Sequence, residues 1–549
     1  MINLRKSICF LIPLMIFFIA TDSAAQKKPN IIVVLADDMG FSDIGCYGGE
    51  AKTPNLDALA TEGMRFSQFY NGARCCPTRA SLLTGLYAQQ AGVGYMTGKL
   101  GATEEYQGHI KNEVATLGDL MKDQGYTTLH VGKWHVGNIK NKTMPKDKGF
   151  ERSWTTEGTV DYWNVTKAYE DGVSKTIDKS KSNFLTDIQG DKAIEYLDYS
   201  KTKDKPFFMY LAFNASHWPL HAKEEDIAKY QGKFLKGWEV LKKERIRKID
   251  SIGLVKAISD KKLIDAEVPK WADYPAGDKF KGYNAVTSDK HDQADWDRQM
   301  AVYAAQIDNM DQNLGRIIAH LKAIGEYENT IIMYLQDNGA CAESIGKNDE
   351  NLPGTAESYI AYGLPWANLS NTPFRMYKHF VHEGGISTPF IINWPAQMNK
   401  KMKGSIEKNI SGHLIDIVPT CLDAAGVATA KLNSLEGISL LPLAKGQDVK
   451  KRTLFWEHEG NRAIREGDWK LVSRYVDDHR FFKSWGWTKA PRKKEWELYN
   501  IADDRWELND LSAQNPQKVN EMIKEYEQWF KRVGAIDRKE LIEGSKEKF

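Results

Sequence analysis

Cysteine is scarce, with six among 549 residues, so disulfides are not the main support of this chain. Cys46, Cys76, Cys341 and Cys421 could pair in three ways, and the sequence chooses none of them. An excess of one charge is missing too. The formal net charge is +2 and no basic tract stands out, which argues against a nucleic-acid-binding protein while leaving room for a locally basic pocket. Beyond the first 25 residues no stretch reads as transmembrane, and no internal repeat or low-complexity segment is evident.

The one long apolar run lies at the start. Arg5 and Lys6 precede the apolar residues 9–20, and Ser23-Ala24-Ala25 supplies small residues for cleavage before Gln26. The run is short for a bilayer-spanning helix, which needs about 20 residues. Cys9 lies inside the run rather than just after it, which argues against a lipid anchor. Residues 1–25 are expected to be a secretory signal, with the remainder exported to the periplasm or secreted, and with no stable membrane insertion.

What the chain does contain is a rhythm of buried strands. Residues 30–36 are continuously apolar after Asn30 and largely β-branched, as in a strand covered on both faces, and they end in Asp37-Asp38. Residues 127–131 lead into Gly132-Lys133-Trp134-His135-Val136-Gly137. Residues 207–213 lead into Asn214-Ala215-Ser216-His217-Trp218-Pro219, and residues 330–335 into Gln336-Asp337-Asn338-Gly339. Helices fall between them. One begins at Thr53-Pro54-Asn55, with Thr53 as cap and Gly63 as stop; one carries Leu117, Leu120 and Met121 and closes at Gly125; one carries Met310, Leu314, Ile317, Ile318 and Leu321 at helical spacing. Strands alternating with helices predict an α/β fold: a large, mainly parallel sheet sandwiched by helices. In such sheets ligands bind beyond the carboxyl ends of the strands. Four strands that each finish in ionisable residues therefore place those residues on one edge.

Residues 221–297 read as a helical and loop insertion that shapes the pocket, and residues 341–371 as a long functional loop. Near Gln447 the texture changes. Residues 454–456, 468–473 and 496–501 look like short alternating strands, and residues 516–533 like a final amphipathic helix carrying Val519, Met522, Ile523, Tyr526, Trp529, Phe530 and Val533. The expected organisation is a signal at 1–25, a catalytic domain at 26–446 and a smaller C-terminal domain of antiparallel sheet plus helix at 447–549.

The chain is organised around Cys75-Cys76-Pro77-Thr78-Arg79-Ala80-Ser81-Leu82-Leu83-Thr84-Gly85. Pro77 suits a first helical turn, Leu82 and Leu83 give it an apolar side, and Gly85 suits its end. Cys75 is thus expected at a helix mouth, where unpaired N–H groups favour an oxyanion, with Arg79 one turn on. This run resembles the signature of the type I sulfatases, within the alkaline phosphatase superfamily and nearest its arylsulfatase-like branch. Gly-Lys-Trp-His-x-Gly is similar to the second signature, and Lys378, five residues before Glu383-Gly384-Gly385, matches a sulfate-binding lysine. His217 matches the histidine after the Ala-x-His strand end, with His221 as a nearby alternative; His379 and His382 read as structural or supporting.

The resemblance implies that Cys75 is oxidised to Cα-formylglycine by a maturation enzyme. It implies that Asp37, Asp38, Asp337 and Asn338, all offering hard oxygen donors, bind Ca²⁺ (or Mg²⁺) together with the oxidised Cys75 side chain, although Asp-Asn-Gly is also a good turn on its own. It implies that Lys133, Lys378 and Arg79 surround the sulfate, that His217 protonates the departing alcohol and that His135 takes a proton from the hydrate so that sulfate is expelled. The activity implied is hydrolysis of aryl sulfates or sulfated carbohydrates. The alternatives are a phosphate or phosphonate ester hydrolase of the same superfamily, a polysaccharide-specific desulfating enzyme, or a carbohydrate-binding protein that kept the fold.

Overall fold

The computed structural model describes residues 27–97, 103–156, 161–177, 183–257, 268–274, 292–343, 345, 351–428, 435–476 and 495–544. The expected signal at 1–25, with Cys9, lies outside the described residues, as do parts of the 221–297 and 341–371 segments.

A ten-stranded mixed sheet organises the chain. Its order runs Ile406–Glu407, Met64–Phe66, Phe390–Asn393, Thr330–Gln336, Asn30–Ala36, Phe207–Ala212, Thr127–Gly132, Arg152–Thr156, Lys167–Glu170, Val173–Thr176. The four strands expected to end in polar clusters are neighbours at its centre. They pair in parallel, with Ile31 opposite Phe208 and Ile331, and Thr127 opposite Phe207. Parallel strands at one centre point their carboxyl ends the same way, so Asp37, Lys133, His217 and Asp337 leave the sheet on one edge.

Both faces are covered, as the uninterrupted apolar pattern requires. Ile32 and Val34 point into one core, with Met310, Leu314, Ile317 and Leu321 of the helix Gln293–Ala323. Ile31, Val33 and Leu35 point into the other, with Leu82 and Leu83 of the helix Cys75–Thr84 and Leu117 and Met121 of the helix Leu117–Asp123. Period-2 alternation thus survives inside a run with no polar residue.

Some elements differ from the sequence reading. The helix Pro54–Glu62 starts and stops where expected, but Thr53 makes no side-chain cap. Its hydroxyl instead donates to Asp57 and accepts from Gly45 N–H. Asp311, from the long helix, accepts from Asn55 N–H at 3.0 Å and Leu56 N–H at 2.8 Å and satisfies the helix start in its place. The segment 341–371 is not all loop, because Gly363–Ser370 is a buried helix. The strand Asn461–Glu466 was not foreseen. It is an inner strand of the four-stranded antiparallel sheet Leu454–His458, Asn461–Glu466, Trp469–Ser473, Glu497–Asn500. The helix Pro516–Arg532 packs on that sheet through Met522, Tyr526 and Trp529. This sheet also reaches the site: Trp456 Nε1–H donates to the Asn71 carbonyl at 2.9 Å, just before Cys75.

The five described cysteines are all free thiols, so none of the possible pairings forms among the described residues.

Candidate active site

The helix Cys75–Thr84 begins at Cys75 itself, two residues before Pro77, and ends at Gly85 in the left-handed region (φ 71°). Every residue in it is buried. Thr78 pins its first turn: the hydroxyl accepts from Gly72 N–H at 2.8 Å and donates to the Asp337 carbonyl at 2.6 Å. The helix mouth is thereby fixed to the end of the Thr330–Gln336 strand.

Three buried acids meet there. Asp38 N–H donates to Asp337 Oδ1 at 3.2 Å, and Asn338 Nδ2–H donates to Asp38 Oδ1 at 2.7 Å. Metal-ligating atoms of Asp37, Cys75 and Asp337 all lie within 4.8 Å of one another, as do those of Asp37, Asp38 and His217. Burying several carboxylates together is costly unless cations or donors receive them. Lys133 Nζ lies 2.5 Å from Asp37 Oδ2, Arg79 Nη2 lies 2.7 Å from Asp337 Oδ2, and Lys378 Nζ lies 2.9 Å from Asp38 Oδ2. Yet Asp37 Oδ1 and Asn338 Oδ1 are buried acceptors with no hydrogen-bond partner. Two orphaned oxygens beside two further carboxylates, with no nitrogen required, are a donor set suited to a hard divalent cation.

The electrostatics follow from this crowding. Burial pushes the Asp37 carboxyl up, but Lys133, His217 and Arg79 outweigh it and hold it well below the usual carboxylate range. Asp337 goes the other way, pushed up by burial and by the charge on Asp37 despite Arg79. Two such acids resist ionising together, and a bound cation relieves that conflict. The Cys75 thiol is drawn well down, chiefly by its hydrogen bond with Cys76 and, against burial, by Lys133 and Lys378. Burial lowers His135, leaving a neutral imidazole.

All ten residues singled out from the sequence come together around Cys75, and all but the two histidines are buried. Arg79 is fully buried. Its guanidinium is spent on Asp337 and on the Lys133 carbonyl, 3.0 Å from Nη1. In this structure those contacts bind the end of the Thr330–Gln336 strand to the Lys133 segment. His135 and His217 are partly exposed. A carbonyl only accepts, so His217 Nδ1–H donates to the Trp218 carbonyl at 2.6 Å, leaving Nε2 3.4 Å from Asp38 Oδ2. His221 does not join the site; its Nε2 lies 2.6 Å from the Ser358 carbonyl.

Backbone strain gathers here as well. Asp38 (φ 57°), Ala73 (φ 62°), His135 (φ 55°) and His379 (φ 84°) all occupy the left-handed region without being glycine. Such positions cost about 1–3 kcal/mol each and tend to collect at functional sites. Gly339 serves close approach: a Cβ there would lie 1.8 Å from the Gly384 carbonyl oxygen. The Asp-Asn-Gly run therefore packs against the segment that carries Lys378, beyond making a turn.

The sequence reading missed Glu343. This buried carboxylate lies 3.3 Å from Lys378 Nζ and 3.1 Å from His379 Nε2, and accepts from Trp218 Nε1–H at 2.9 Å. It ties the Lys378 and His217 segments together. Its only sequence signal is its place six residues beyond Asp337, in a long loop after a site strand.

A sulfatase family model matches residues 29–427, and a model for the C-terminal part of N-sulphoglucosamine sulphohydrolase matches residues 374–533. The chain is 33% identical to an uncharacterized sulfatase of Schizosaccharomyces pombe, over 91% of this chain and 93% of that one. It is 33% identical to an arylsulfatase of Klebsiella aerogenes, over 77% and 91% of the two chains. Among solved structures, Ps i-CgsB in complex with k-i-k-neocarrahexaose superposes with a TM-score of 0.64 at 22% identity, covering 92% of this chain and 93% of that one. Helix mouth, clustered acids and strand-end lysines and histidines thus stand in a chain that belongs to the sulfatase family, the sulfuric ester hydrolases of alkaline phosphatase-like fold.

Proposed function

We propose that this protein hydrolyses sulfate monoesters of carbohydrates, with Cys75 matured to Cα-formylglycine by a generating enzyme and with Ca²⁺ (or Mg²⁺) held by Asp37, Asp38, Asp337 and Asn338. The observation that carries this reading is the pair of orphaned buried oxygens, Asp37 Oδ1 and Asn338 Oδ1, in an acid cluster that also faces Cys75. The sugar ligand of Ps i-CgsB supports a carbohydrate substrate; the Klebsiella relative supports activity on aryl esters as well. The apolar leader at residues 9–20 supports export to the periplasm or beyond.

The formylglycine hydrate supplies a hydroxyl nucleophile, and the cation supplies charge neutralisation at the ester oxygens. The remaining work falls to the chain's own side chains. Lys133 and Lys378 present ammonium groups to the non-bridging oxygens, where losing one such donor costs roughly 10²–10³ in rate. His217, partly exposed with Nε2 turned inward, donates a proton to the departing alcohol. His135, kept neutral by burial, accepts a proton beside position 75. Arg79 and Glu343 hold the acids and Lys378 in register.

The test is direct. Mass spectrometry of the Cys75 peptide from protein made with its maturation partner is expected to find the aldehyde. That protein should release sulfate from a sulfated-sugar panel with higher kcat/KM than from nitrophenyl sulfate, and Cys75→Ala should release none. Turnover by Cys75→Ala near the unaltered rate removes the nucleophile assignment; a preference for phosphate esters removes the substrate class.

A further inference from the structure

We propose a second anion-binding site, a cationic cleft that docks a sulfated glycan chain away from the reacting ester. It is a cavity of about 680 Å³ formed where the C-terminal sheet meets the outer strands of the large one, within the range of about 300–1,000 Å³ typical of ligand pockets. Its lining is charge-biased, seven Lys or Arg against two Asp, in a chain whose net charge is only +2. Arg465 and Arg505 form a buried floor. Arg505 pairs with Glu383 at 3.0 Å and Arg465 donates to Tyr70 and Gln68, so both are fixed in place. The rim is different. Lys256, Lys408, Lys450 and Lys451 are exposed and, among the described residues, form no ion pair.

Gathered like charges repel and persist at a cost, while raising the local concentration of anions. The lining also holds Leu254, Val255, Ile410 and Trp506. Ammonium groups beside apolar lining match a sulfated sugar, which offers charged substituents at its edge and C–H groups on its face. The choice of a sulfated glycan as occupant rests on the functional reading above.

The position fits a long substrate. Met64–Phe66 and Ile406–Glu407 run in the same direction as the central strands, because each is parallel to the other and both reach the centre through the antiparallel Phe390–Asn393. Ser67 and Gln68, and residues 408–411, therefore leave the sheet on the same edge as Asp37. They lie three and four strands from Asn30–Ala36, about 14 and 19 Å away at the usual strand spacing of about 4.8 Å. A polymer held there returns its other sulfates to the catalytic centre at high effective concentration.

The experiment uses the full chain carrying Cys75→Ala, so that the probe is not consumed, and a heparin hexasaccharide with its desulfated counterpart, followed by calorimetry at two salt concentrations. The triple variant Lys408→Ala/Lys450→Ala/Lys451→Ala is expected to weaken binding of the sulfated probe about tenfold and to flatten its salt dependence. The desulfated probe should not bind. In the matured enzyme the same triple should leave kcat/KM on nitrophenyl sulfate unchanged and raise KM on the polymer. Unaltered affinity in the triple variant, equal binding of both probes, or binding lost with Lys133→Ala but not with the triple, each overturns the cleft. Because binding is read without turnover, a chain that docks the probe here yet cleaves no sulfate ester overturns the functional reading and spares this one.

Discussion

His217 is fixed by one short hydrogen bond to its neighbour's carbonyl, and that bond decides which nitrogen can serve chemistry. A general acid matters most when the leaving alcohol is poor. His217→Asn is therefore expected to lower kcat on a sugar sulfate by roughly 10²–10⁴, and by much less on nitrophenyl sulfate, whose phenolate departs unaided. Equal losses on both esters would take the proton-donor role from His217. The orphaned Asp37 and Asn338 oxygens yield a second expectation at this scale. Chelation should abolish turnover and lower the melting temperature together, with Ca²⁺ restoring both; an ion at about 100 times its dissociation constant adds about 2.7 kcal/mol. Full activity in protein verified as metal-free counts against the cation. These residues were legible in the sequence because each follows a buried strand within a few positions, where polar side chains are costly without a partner. Glu343 was not, because its partners Lys378, His379 and Trp218 are 35, 36 and 125 residues away in the chain, and its neighbours in sequence form no pattern.

The helix Pro54–Glu62 shows where local reading stops. Its span was legible from Pro54 and Gly63, yet its cap comes from Asp311, some 256 residues distant. Thr53 looked like the cap because threonine commonly is one; Asp57 and Gly45 took its hydroxyl first. Asp311→Ala is expected to destabilise the protein by about 1–2 kcal/mol, the usual cost of a lost helix cap, whereas Thr53→Val should cost less than Asp311→Ala in the same urea titration. The reverse ranking would return the cap to Thr53. Strands followed the same rule. Three of the central strands were plain from largely apolar runs, because both faces are buried, and the fourth, Thr127–Gly132, from its β-branched residues. The outer strands, such as Arg152–Thr156 and Lys167–Glu170, are short and partly exposed, and their mixed residues carry no period strong enough to read. Asn461–Glu466 holds two arginines, Arg462 and Arg465, and was hidden by them.

Across the whole molecule, several of the described histidines are buried, and acid stability should record it. His130 lies within the sheet core among the rings of Trp134, Phe150 and Tyr210. Burial lowers its pKa from 6.5 to about 3. His458, the buried last residue of the strand Leu454–His458, is likewise lowered to about 3. A base whose folded pKa is depressed stays neutral in the fold while the unfolded chain takes up a proton. Its contribution to stability is therefore complete above pH 6.5 and is lost as pH falls from 6.5 towards 3. At about 1.36 kcal/mol per unit, each such histidine withdraws up to roughly 5 kcal/mol over that window, comparable to a large part of the net stability of an ordinary domain. His130→Phe keeps the ring stack and removes the proton. It should leave stability at pH 7.5 nearly unchanged and move the acid unfolding midpoint, followed by tryptophan fluorescence, to lower pH. A midpoint that stays put, with the phenylalanine protein as stable as the original at pH 7.5, means that the acid limb belongs to the site carboxylates, and that the buried imidazoles are bystanders to it.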